Sequence, residues 1–193
     1  ALVTDNDTHQ YMVDLHGAQL VESVFDHVIF DTINPNLSGQ KRYHDTRYTT
    51  FTDSYHNGNR QNAYELTPFD ETMMLDSDYL VLDHSLDMVW GSCEDFMCNT
   101  KTRDLDHRCN DFGFDNRFND MSIPLYWATA VYFKRRESAK IIFELMDFVK
   151  EHYTYYQYLY RFLPSGYIRN DYALSIAIHM ANNLMEYESI ASL

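Results

Sequence analysis

The sequence predicts an α/β domain built on a parallel sheet. Three observations predict it. The amino-terminal third reads strand, helix, strand; the apolar run Thr72–Val81 (TMMLDSDYLV) carries two carboxylates in its middle; and the last third holds two helices with apolar spacing near 3.6. At 193 residues the chain is the size of one domain and long enough to bury a core. Residues 1–193 are therefore read as a single domain, with 136–183 as its helical carboxyl-terminal part.

The elements follow in order. Ala1–Thr4 is a short apolar strand, and Asp5-Asn6-Asp7-Thr8 supplies turn and N-cap chemistry. From His9 to Phe25, Met12, Leu15, Ala18, Leu20, Val21, Val24 and Phe25 recur at helical spacing. Val28-Ile29-Phe30 is β-branched and aromatic, a second strand, and the order implies parallel pairing. Asp31–Arg60 is polar, with Asn-Pro, Ser-Gly and Asn-Gly punctuation; it is too long for a structureless loop and is read as functional or as holding a short helix. Gln61–Leu66 ends a helix that Thr67-Pro68 closes. Thr72–Leu75 is a buried third strand, and Ser85–Trp90 a short helix.

Gly91–Ser122 is polar and acidic, an excursion over the active face. Tyr126–Lys134 (YWATAVYFK) is the next strand. Glu137–His152 is an amphipathic helix presenting Ile141, Ile142, Leu145, Met146 and Val149, and Tyr153–Phe162 continues it with aromatics. Asn170–Asn183 is the last helix, with Ala173, Leu174, Ile176, Ala177 and Met180 inward. The chain opens at Ala1 directly on a strand and stops at Leu193 just after a helix, so it reads as a piece of a longer protein.

Charge excludes whole classes. Fifteen basic against 29 acidic residues leave a net charge of −14, which argues against binding nucleic acid or anionic membranes. No run reaches the roughly 18 apolar residues of a membrane span, and no signal peptide is visible. Cys93, Cys98 and Cys109 are odd in number and lack paired spacing, as expected of free thiols in a cytoplasmic protein. An acidic protein that binds an anionic nucleotide commonly sets a divalent cation between its carboxylates and the phosphates.

Asp76 and Asp78 are the candidates for that cation. Ligands of open α/β sheets bind at the carboxyl ends of strands. Two carboxylates one residue apart lie on the same side of an extended chain, and they repel unless a cation or proton neutralises them. Mg²⁺ or Mn²⁺ suits such oxygen donors and keeps positions open for phosphate. A bare Asp-x-Asp is more often a solvated turn or cap; the apolar residues on both sides, Met73-Met74-Leu75 and Tyr79-Leu80-Val81, favour the metal reading.

Asn62–Asp70 (NAYELTPFD) followed by ETMMLDSDYLV resembles the glycogenin-like (family 8-like) branch of the GT-A glycosyltransferases. Tyr126–Phe133 and Arg169–His179 (RNDYALSIAIH) extend the resemblance to uncharacterised glycosyltransferase-like proteins of marine phages and metagenomes. The resemblance implies a GT-A (Rossmann-like) nucleotide-diphospho-sugar transferase fold lacking its first strand and its carboxyl-terminal end, where a third metal ligand, His or Asp, would lie. It implies a Mn²⁺- or Mg²⁺-dependent enzyme taking a UDP- or GDP-sugar, located in the cytoplasm, the host's if phage-encoded. The acceptor would be a glycan, lipid or protein.

Residue by residue, the resemblance puts the metal on Asp76 and Asp78, with Asp76 also contacting the donor, and a donor-facing basic residue at Arg60. Ala128 stands where the family has an Asn, so that contact is absent or passes to Thr129. Asn170 and Asp171 fall on the family's later acidic motif. Asp171 would orient the acceptor, act as base or stabilise positive charge on the sugar; as a plain residue it would cap the last helix. Retention of configuration rests on the resemblance alone. His179, eight residues on, is read as structural. The aromatic run 153–162 is read as core before sugar platform, and the Asp/Asn-rich stretch 104–120 lacks calcium-loop spacing. Alternative readings are a nucleotidyltransferase of related fold and a degenerate, non-catalytic binding or structural module.

Overall fold

A computed structural model describes residues 1–32, 39–44, 49–55, 58–99, 117, 123–162, 167–184 and 191–192. The first helix begins as its sequence demands. Asp5 accepts the Thr8 backbone N–H at 2.7 Å and the Thr8 hydroxyl at 2.8 Å, capping α1 (Asn6–His16). That N–H bond, above all, holds the Asp5 carboxyl below its ordinary value. Gly17, at φ +82°, ends α1 and opens α2 (Ala18–Val24), so the single helix read over 9–25 is two. Of its expected inward face only Val21 is buried.

Strands β1 (Leu2–Thr4) and β2 (Val28–Phe30) flank these helices and pair in parallel, as the strand–helix–strand order requires. The polar stretch after them holds no helix among the described residues. It forms an antiparallel pair, β3 (Gly39–His44) with β4 (Thr50–Tyr55), in register from Gly39 opposite Tyr55. A 3-10 turn, Arg60–Asn62, leads into the one-turn helix α3 (Ala63–Leu66) and then β5 (Glu71–Leu75).

The expected single parallel sheet gives way to three sheets among the described residues. The largest is mixed, in the order β5-β7-β6-β8, with β6 (Phe96–Asn99), β7 (Trp127–Lys134) and β8 (Ala191–Ser192). β5 and β6 run antiparallel to β7, and β6 and β8 are parallel. β5 pairs with β7 from much later in the chain and not with a strand joined to it by a helical crossover. β5 is an edge strand among the described residues and only half-buried, not the buried strand that its composition implies.

The core lies between this sheet and the carboxyl-terminal helices, α4 (Glu137–Glu151), α5 (Tyr153–Tyr160) and α6 (Asn170–Ala181). α4 buries Ala139, Ile142, Phe143, Met146, Val149 and Lys150, a 3-4 stripe, while Ile141 faces solvent. α6 is buried without a break from Tyr172 to Ile178, so it packs on both α4 and β7. Ser175 fixes it to the sheet, accepting the Tyr126 N–H at 2.8 Å. On the sheet's other face Tyr132 donates to Glu71 at 2.6 Å and meets the Trp90 ring edge-on.

Candidate functional site

The site forms where β5 ends and β7 begins. The ladder runs one residue past β5, the Asp76 N–H donating to the Thr129 carbonyl at 3.1 Å. The chain then turns, with the Tyr79 N–H on the Asp76 carbonyl at 3.0 Å. Asp76-Ser77-Asp78-Tyr79 is therefore a hydrogen-bonded turn and not extended chain, so the same-side argument for the two carboxylates does not apply. Tyr79, Leu80 and Val81 are exposed, Leu80 by 75%. The apolar run after the carboxylates thus faces water, which weakens its use as a sign that Asp76 and Asp78 are not a solvated turn.

Arg60 organises the interior of the site. Its side chain is buried, ion-paired to Asp76, and donates to the Ala128 carbonyl. Burial pulls the guanidinium below its ordinary value, while Tyr55, Asp171 and Asp78 pull it back. The same residue of β7 meets the start of α6 on its other side: the Ala128 N–H donates to Asp171 Oδ1 at 2.9 Å. Arg169 donates to Asp171 Oδ2 at 3.3 Å. Burial pulls Arg169 down, but Asp171 and the rings of Tyr172 and Tyr167 leave it raised overall. Both Asp171 oxygens are thus engaged, and Asp171 lies inside the first turn without capping it; Arg169 is the N-cap residue.

Asn170 faces inward. Its Oδ1 accepts from Lys150 at 2.7 Å and its Nδ2 donates to the Tyr55 hydroxyl at 3.1 Å. Thr129 is half-buried and takes part through its carbonyl. Arg60, Asp76, Thr129, Asn170 and Asp171 thus meet in one connected set, and Asp78 lies at its exposed rim. His179 stands apart, its ring edge-on to Tyr160. The aromatic run divides: Tyr156 is buried, Tyr153 accepts the Arg169 backbone N–H at 3.1 Å, and Tyr155 and Tyr158 face solvent. Stretch 104–120, apart from Arg117, and Cys109 lie outside the described residues.

Four participants were missed in the sequence: Tyr55, the Ala128 backbone, Lys150 and Arg169. Lys150 carried a legible signal, because it continues the apolar stripe of α4 one turn past Met146. Its ammonium donates to the Gly58 carbonyl and Gln61 Oε1, both at 2.6 Å, and to Asn170. Burial, with Arg60 adding repulsion, pulls it down to about 7 against partial support from Asp147. The fold therefore binds fewer protons at Lys150 than the unfolded chain between about pH 7 and the ordinary lysine value. Unfolding free energy of the wild type relative to Lys150→Met is expected to rise with pH across that window, and to be lowest below it. Urea titrations at pH 6.5 and 9 check the sign; a fall would contradict it.

Two carboxylates at a strand end offer hard oxygen donors fit for Mg²⁺ or Mn²⁺. Asp78 and the Asp76 oxygen not paired with Arg60 would hold the ion, with diphosphate and water completing its shell. Among the described residues, no group of three His, Cys, Asp or Glu assembles around a common point. No described helix is long and apolar enough to cross a membrane. No family model, curated protein or solved structure matches this chain.

Proposed function

We propose that the chain is a metal-dependent glycosyltransferase of GT-A type. It moves a sugar from a UDP- or GDP-sugar to an acceptor hydroxyl in the cytoplasm. The observation that supports this is the convergence of Arg60, Asp76, Asp78, Thr129 and Asp171 from four separated segments at one end of the β5–β7 pair. In a chain of net charge −14, Arg60 and Arg169 stand beside these carboxylates. A diphosphate is a ligand that calls for such cations beside carboxylates.

Within this reading the cation, when bound, neutralises charge on the leaving nucleoside diphosphate. Arg60 holds Asp76 oriented at the ion. Asp171, with both oxygens already accepting hydrogen bonds, suits stabilising positive charge on the sugar or orienting the acceptor better than proton abstraction.

Titration of the full chain with UDP- and GDP-sugars, with and without Mn²⁺, tests the reading. Binding that requires the cation, and falls at least tenfold in Asp78→Asn with an unchanged melting temperature, is the expected result. Cation-dependent binding of nucleoside triphosphates alone would point to a nucleotidyltransferase. The Arg60–Asp76 pair favours a second reading, a non-catalytic module whose carboxylate is already neutralised. Nucleotide binding indifferent to Mn²⁺, or none, would select it.

A further inference from the structure

Lys150 is a buried cation that the proposed chemistry does not use. Lys150 is 3% exposed, and among the described residues its ammonium has no carboxylate within an ion-pair distance. In its protonated form, three short bonds saturate its three N–H groups with neutral oxygens. Those oxygens belong to two places: Gly58 and Gln61 flank Arg60 in the turn before α3, and Asn170 lies between Arg169 and Asp171 at the start of α6. Without Lys150, the Gly58, Gln61 and Asn170 oxygens lose the donor they share, and only a flip of the Gln61 amide, whose Nε2 has no partner among the described residues, would put another N–H between them.

The two places joined by Lys150 are those that grip β7 at Ala128, from the carbonyl side by Arg60 and from the N–H side by Asp171. We infer that Lys150 is a positioning residue, locking the Arg60 turn onto the first turn of α6 and thereby setting the Arg60–Asp76 and Asp171–Ala128 contacts. The inference rests on the glycosyltransferase reading only for its effect on donor binding. The groups facing Lys150 are Arg60 from the turn, Tyr55 from β4 through Asn170, Asp147 on its own helix, and the Arg169–Asp171 pair of α6.

The test is made on the full chain carrying Lys150→Met, which keeps length and removes all three donors. Lys150→Gln, which keeps two donors and no charge, serves if Lys150→Met does not fold. Folding is established by circular dichroism and a cooperative urea transition. In the folded variant, the Arg60 Nε–H resonance, assigned with Arg60→Lys, is expected to shift and to exchange with solvent at least tenfold faster than in the wild type. An Arg60 resonance unchanged in shift and exchange would overturn the inference. Nucleotide-sugar affinity is read on the same samples, and a drop of tenfold or more is expected. If the wild type binds no nucleotide-sugar, the functional reading fails alone, because the Arg60 resonance still decides the role of Lys150.

Discussion

Phe133→Ala is expected to lower the unfolding free energy by about 3–5 kcal/mol, the range for emptying a fully buried aromatic site. Phe133 has no exposed surface and lies on the central strand β7, between Thr72 of β5 and Phe96 of β6. Its ring meets Phe143 of α4 edge-on, with centroids 4.8 Å apart, and leans against Tyr64 at 6.2 Å. The site cannot collapse easily, because two strands and a helix fix its walls. Since domains are commonly stable by only about 5–15 kcal/mol, the loss is a large share of the whole. Urea denaturation at constant m-value measures it; a loss below about 1 kcal/mol would show that the sheet and α4 do not pack as described.

Asp76→Ala is expected to cost about 2–4 kcal/mol, because it strands the Arg60 guanidinium in the interior without its counter-ion. The estimate is set below the full buried-pair range because the Asp76 side chain is 21% exposed, against 9% for Arg60, so water screens part of the charge. Removing both partners together, as Arg60→Met with Asp76→Leu, is expected to restore most of the loss, since no charge of that pair is then left buried. Nucleotide-sugar binding is expected to vanish in both. A double variant no more stable than Asp76→Ala would mean that Arg60 acts mainly through the Ala128 carbonyl.

The separation of these two effects reflects how the molecule is organised. Helix α6 is buried from Tyr172 to Ile178 and carries Asp171 at its first turn, so that side of the site is anchored in the core. The Asp76–Asp78 turn is anchored on one side only, by Arg60 and one ladder bond, and Asp78 projects into solvent. The exposed turn thus lies over a floor that α6 anchors in the core.

Local patterns determined much of this in the sequence itself. The cap at Asp5, the strand Trp127–Lys134 and the helices α4 to α6 depend on residues adjacent in the chain, and their spacing was sufficient. Arg60, Asp76, Thr129, Asn170 and Asp171, singled out in the sequence, are brought together by the fold. Strand pairing was not legible. Whether β5 meets a parallel or an antiparallel neighbour depends on crossovers and distant partners that periodicity does not encode. The exposure of Tyr79–Leu82 and the folding of the Asp76–Asp78 turn likewise depend on what the rest of the molecule leaves uncovered. Two apolar-flanked carboxylates were thus determined by sequence. That one is held by a buried arginine, itself positioned beside a buried lysine from a helix 90 residues later, was decided by tertiary structure alone, since a buried charge finds its partners through space and not along the chain.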